Sequence, residues 1–142
     1  MGQAANVARR KMAAFNAQDE KEIRALLSPN VEWAIPGGLL RGSDQVIAYF
    51  SAFWEAFPDL ELTATRVVEE GSAVVTQARA EGTHRGTFRT PGGDIPPTDR
   101  RVSLMYSEHF EVDGEVIVSA SLHLDRLELL EQLGVVPAPA PA

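Results

Sequence analysis

The pair Asp113-Gly114 stands between two long alternating runs, Arg101 to Val112 and Glu115 to Leu124. An Asp-Gly pair so flanked is the strongest short-range hairpin signal a sequence gives. The chain must therefore accommodate two long antiparallel strands joined by a tight turn. Side chains alternate along a strand, so each strand has two faces. One face carries Val102, Leu104, Tyr106, Phe110, Val112, Val116, Val118, Ala120, Leu122 and Leu124. The other carries Ser103, Met105, Ser107, His109, Ile117, Ser119, Ser121, His123 and Asp125. This second face is small and polar, with two imidazoles and a carboxylate. It either lines a ligand cavity or faces water. Glu108 interrupts the apolar face, as a pocket carboxylate if that face is the inner one, or as an interface or edge charge if it is not. A register slip of one residue would exchange the two faces.

The first half of the chain alternates between helical and extended patterns. Ala8, Met12 and Phe15 share a stripe in a helix over 6–17, with Arg9-Arg10-Lys11 mostly off it. Asp19 caps a second short helix, with Glu22 in a capping-box relation and Ile23, Leu26 and Leu27 buried. Val31 to Ile35 is a short strand, in which Trp33 is a core filler or a flat ligand wall. A third helix spans 44–57, with Ser43 as N-cap and Pro58 as its stop. Its aromatic stripe includes Phe50, Phe53, Trp54 and Phe57 and can serve as a pocket ceiling.

Leu60 to Val68 and Ala73 to Thr83 read as paired strands, turning at Glu70-Gly71-Ser72. On the second, Val74, Thr76, Ala78, Ala80, Gly82 and His84 share one face. Small inward side chains leave volume unfilled, which is how a close-packed interior makes a cavity. Residues 84–100 form a Gly- and Pro-rich loop suited to a pocket mouth. After Asp125, the leucines at 127, 129, 130 and 133 form a short helix packing back on the domain. The order predicts an α+β fold, with helices on one face of a bent antiparallel sheet. One domain is expected over 1–134, with a disordered Pro/Ala tail over 135–142.

The net charge of −7 comes without a cluster of Lys and Arg, which argues against nucleic acid or an anionic membrane as partner. The absence of cysteine excludes disulfides and thiolate chemistry. No apolar run is long enough to span a bilayer and the N-terminus lacks a signal-peptide pattern, so the cytoplasm is the expected compartment.

Several segments, in one order, carry a resemblance. They are Phe57-Pro58-Asp59-Leu60, Gly82-Thr83-His84-Arg85-Gly86, Pro96 to Arg101, Asp113-Gly114, and the ending Asp125…Gln132-Leu133-Gly134. Together they resemble the SnoaL-like polyketide cyclases of the nuclear transport factor 2-like superfamily. The resemblance implies a cone-shaped curved sheet packed on three helices around an apolar pocket. It implies ring closure on a polyketide-type substrate without metal or organic cofactor, in antibiotic biosynthesis. It also implies a homodimer or higher oligomer through the outer, apolar face of the hairpin. The family's histidine and catalytic aspartate, carried over by position, fall on Ser107 and on Ser121 or Leu122, so that pair is missing. Ser107 and Ser121 nevertheless favour the small polar face as the pocket side.

On that face His123 and Asp125 point the same way, so His123 is the expected general base, oriented by Asp125, with His109 nearer the turn. Asp125 has the alternative of capping the terminal helix. The expected substrate wall is Trp33, Phe50, Trp54, His84, Met105, Ser107 and Ser121, with Tyr106 joining it only if the faces are inverted. The His and carboxylate spacing fits no metal pattern such as His-Glu-x-x-His. The sequence thus predicts a cofactor-independent cyclase or isomerase acting on an apolar small molecule. The alternatives are a non-catalytic binder of the same fold, or a hydroxylase-like or epoxide-opening enzyme.

Overall fold

A computed structural model describes residues 2–137. Of the expected tail, residues 138–142 lie outside the described residues. Helices α1 (Gln3–Asn16), α2 (Glu20–Ala25) and α3 (Ser43–Ala56) cover one face of a six-stranded sheet. Its strands are β1 (Leu27–Ile35), β2 (Gly38–Arg41), β3 (Glu61–Glu70), β4 (Ala73–Thr83), β7 (Arg101–Asp113) and β8 (Val116–Leu124). They lie in the order β2-β1-β8-β7-β4-β3. A separate hairpin, β5 (Phe88–Thr90) and β6 (Gly93–Ile95), forms where the sequence reads as loop. Helix α4 (Arg126–Gln132) closes the described chain.

The Asp113-Gly114 turn forms as expected, with Gly114 at φ 62°. Strand β8 pairs antiparallel with β7 on one side and parallel with β1 on the other. The sheet is therefore mixed, against the wholly antiparallel expectation. Bulges between Ala64 and Arg66 and between Glu111 and Val112 bend it over the helices. The second bulge also changes the parity of β8. Val112 pairs with Ile117 and Glu111 with Ser119, so Ile117 is buried while Val118 turns outward.

Cap chemistry fixes the helices. Asp19 and Asp125 accept backbone N–H bonds from Glu22 and Glu128, each 3.1 Å. Ser43 is the first helical residue of α3 rather than its cap. The cap is Gly42 at φ 82°, a left-handed position that favours glycine. Helix α1 is tied to β3 at both ends. Glu69 accepts from the backbone N–H groups of Gly2 and Ala5, at 2.9 and 2.7 Å. The Asn16 amide exchanges bonds with the Leu62 backbone at 2.8 and 2.9 Å. These ties hold the middle of α1 over the sheet, where Lys11 lies.

Candidate active site

The helical layer packs on the apolar face of β7 and β8. Val102, Leu104, Tyr106, Glu108, Phe110 and Val112 are all buried, as are Ala120 and Leu122. This is the face the hydrophobic effect favours, since it carries a row of large apolar side chains, whereas the other mixes serines and histidines with scattered valines and Met105. The expectation that the small polar face lines the cavity is therefore reversed.

Between α1, α3 and this face lies a chamber of about 70 Å³. Phe15, Phe50, Leu60, Leu62, Ala80 and Leu122 give it an apolar lining. Two charges stand inside. Lys11 Nζ donates to Glu108 Oε1 at 2.8 Å, with side chains only 3% and 5% exposed. Four rings, those of Phe50, Phe15, Trp33 and Phe110, surround Nζ at 5.0 to 5.8 Å from their centroids. The ammonium is held by one carboxylate and by ring faces, a combination that stabilises a desolvated cation. Glu108 Oε2 makes no hydrogen bond among the described residues.

Two phenols complete the chamber. Tyr106 shares its strand face with Glu108, and its hydroxyl is buried without a hydrogen-bond partner. Burial, reinforced by the Glu108 charge, pushes its pKa well above the ordinary phenol value. Tyr49 on α3 is pushed up to about 12, by burial first and the Glu108 charge second, with Arg126 opposing. Both phenols keep their protons and remain donors near neutral pH. A buried donor with no partner costs free energy, so the Tyr106 hydroxyl is a place where a ligand oxygen would be stabilised.

The chamber opens outward. Tyr49, Phe53 and Leu124 line both it and a larger vestibule of about 540 Å³. The β5–β6 hairpin, the β1–β2 turn and α4 wall the vestibule. Its volume is that of a pocket for a small organic molecule, whereas the chamber admits only the edge of one.

The residues singled out in the sequence scatter. Phe50 lines the chamber. Trp33 is fully buried behind it, between Phe50 and Phe110 at 5.4 and 5.2 Å. Trp54 packs on Phe15 at 5.4 Å. His84 belongs to a second packing centre, 5.3 Å from Phe57, with Nδ1 accepting from the Thr98 N–H at 3.2 Å. Met105, Ser107, His109, Ser121 and His123 all lie on the outward face of the sheet. His123 is exposed, in an open groove with Met105, Ser107 and Asp125, and makes no hydrogen bond to Asp125 among the described residues. Asp125 is occupied as the α4 cap. His109 Nε2 lies 3.3 Å from Glu111 on the same outer face. The imidazoles are therefore misplaced as a base for the cavity, because inward positions went to apolar side chains and to Glu108.

Lys11 was legible only in part. It lies three residues after Ala8 and four before Phe15, so helical spacing puts it on the buried stripe. Its place in a basic run hides that. Glu108 carried the clearer signal, a lone carboxylate between Tyr106 and Phe110.

Comparison with known proteins agrees with this architecture. The family model for SnoaL-like polyketide cyclase matches residues 5–133. A SnoaL-like protein from Jannaschia sp. CCS1, a candidate polyketide cyclase, superposes with a TM-score of 0.83 at 24% identity, covering 95% of this chain and 94% of that one. IdmH from Streptomyces antibioticus, a candidate polyketide cyclase, gives 0.79 at 25% identity, over 94% of this chain and 99% of its own. AclR from Streptomyces galilaeus, a candidate hydroxylase, gives 0.82 at 23% identity, over 96% and 84%. No curated protein matches the chain in sequence. No helix among the described residues is long and apolar enough to cross a membrane. With the family model spanning nearly all of the described chain, this protein belongs to the SnoaL-like polyketide cyclase family.

Proposed function

We propose that the chain is a cyclase-type enzyme that removes a proton from an activated carbon of an apolar, polyketide-type substrate, with Glu108 as the base. The observation that carries this reading is the Glu108–Lys11 pair facing an apolar chamber beside an unpartnered phenol. The rings of the substrate occupy the vestibule, and only its reacting edge enters the chamber. Glu108 Oε2 takes the proton from a carbon between two carbonyls. The electron pair moves onto a carbonyl oxygen, to which Tyr106 donates. The carbanion then attacks a third carbonyl elsewhere in the substrate, a carbon–carbon bond forms as that carbonyl's π bond breaks, and the proton returns to the resulting alkoxide. Lys11 holds the carboxylate in one rotamer. No redox step is involved. AclR shares the fold, and that likeness carries no hydroxylation to this chain.

A second reading is a binding protein in which the ion pair only supports the core. The chamber's size of about 70 Å³ is its best support. Turnover of an aromatic β-ketoester separates the two. Glu108→Gln keeps an acceptor for Lys11 but cannot take a proton, so kcat falls by about 100-fold or more with KM little changed. Unchanged kcat contradicts the assignment.

The exposed outer face of the sheet supports a homodimer. Val68, Val75, Met105 and Val118 are 37–50% exposed there, an arrangement more apolar than a solvated face requires.

A further inference from the structure

The vestibule holds two guanidinium groups, and they differ. Arg89 is committed to Glu55 and Asp94, at 3.2 and 3.1 Å. Arg126 has no carboxylate partner among the described residues. Its one hydrogen bond runs from Nη1 to the Pro36 carbonyl at 2.9 Å. A guanidinium carries five N–H donors, so most of this one remains unused. The group is nonetheless seated. Gly37, at φ 83°, lies so close that a Cβ there would come within 2.6 Å of Nη1. Other basic residues also lack a carboxylate partner among the described residues, but of these Arg126 alone lines the vestibule, at the exposed mouth of an apolar cavity.

We propose that Arg126 recognises a carboxylate on the outer end of the substrate. The planar fork matches a carboxylate in a two-point geometry, and the wall formed by Ile35, Leu40, Phe53 and Phe88 suits the rings between. The ligand class is then an aromatic or polycyclic acid, with its carboxylate opposite the reacting carbon. This assignment rests on the reading above for which end enters the chamber. Arg126 and Tyr49 both line the vestibule.

Binding of anthraquinone-2-carboxylate and of its methyl ester, followed by quenching of the intrinsic tryptophan fluorescence, tests it without reading turnover. The result is therefore independent of whether Glu108 is the base. The wild-type protein is expected to bind the acid about tenfold more tightly than the ester. Arg126→Gln abolishes that preference and leaves ester affinity unchanged, which also reports an intact vestibule. Arg126→Lys keeps part of the preference, and Arg89→Gln keeps all of it. The proposal is overturned by wild-type protein that binds neither probe at millimolar concentration or does not distinguish them. It is equally overturned by Arg126→Gln retaining the preference or losing both affinities together.

Discussion

Lys11 and Glu108 are each nearly inaccessible to solvent, and each would be a costly buried charge without the other. Removing one partner of a buried pair typically costs about 3–5 kcal/mol, whereas replacing both by apolar groups is often neutral. Lys11→Met should therefore destabilise the protein by that amount in urea unfolding. The double variant Lys11→Met with Glu108→Leu should recover most of the loss while remaining inactive. Additive losses would mean that the two side chains are not coupled. At this scale the sequence was half legible. A carboxylate between Tyr106 and Phe110 marks itself as unusual and as a candidate pocket group. The histidines drew attention through their chemistry, yet chemistry alone does not say which way a strand faces. Burial decides that, and it depends on what packs against the sheet.

Strands β7 and β8 and their turn were readable because alternation and Asp113-Gly114 agree. The bulge between Glu111 and Val112 was not, since it follows from pairing that no local pattern records. The β5–β6 hairpin was likewise hidden in a Gly- and Pro-rich stretch, whose residues line the vestibule. The ends of that stretch are fastened at His84. Its N–H donates to the Arg100 carbonyl at 2.8 Å and its carbonyl accepts from Asp99 at 2.9 Å. Burial pulls the imidazole pKa below its ordinary value of 6.5, with the Gly86 backbone opposing. The unfolded chain then takes up the proton first. The His84 contribution is complete above about pH 6.5 and is lost as pH falls toward the lower folded value. Melting temperature should decline from pH 7 to pH 5, and His84→Gln should flatten that decline. Parallel curves for the two proteins would remove His84 from the account.

Across the molecule, one side of the sheet carries the cavity and the other carries exposed valines and Met105. The α+β class and the helix-covered, bent sheet were legible from the order of patterns. The side that holds the cavity was not, because a two-faced hairpin is symmetric until a helix layer is placed on it. The sequence also assigned the outer interface to the face of β7 and β8 that packs under the helices, whereas the exposed sheet face is the one that carries Met105, the serines and the histidines. If that face joins two copies, Val75→Arg should convert a dimer to a monomer in sedimentation velocity, without lowering affinity for an aromatic ligand. A wild-type monomer at micromolar concentration would rule the interface out.

The proposed proton removal takes place on the helix-covered side of the sheet, at Glu108, and not on the outer side at His123. Exchange of the activated hydrogen of an aryl β-ketoester in deuterated water reads that step alone, whether or not ring closure follows. Exchange is expected at the wild-type rate in His123→Ala and with a loss of about 100-fold or more in Glu108→Gln. Full exchange in Glu108→Gln, or its collapse in His123→Ala, would contradict it.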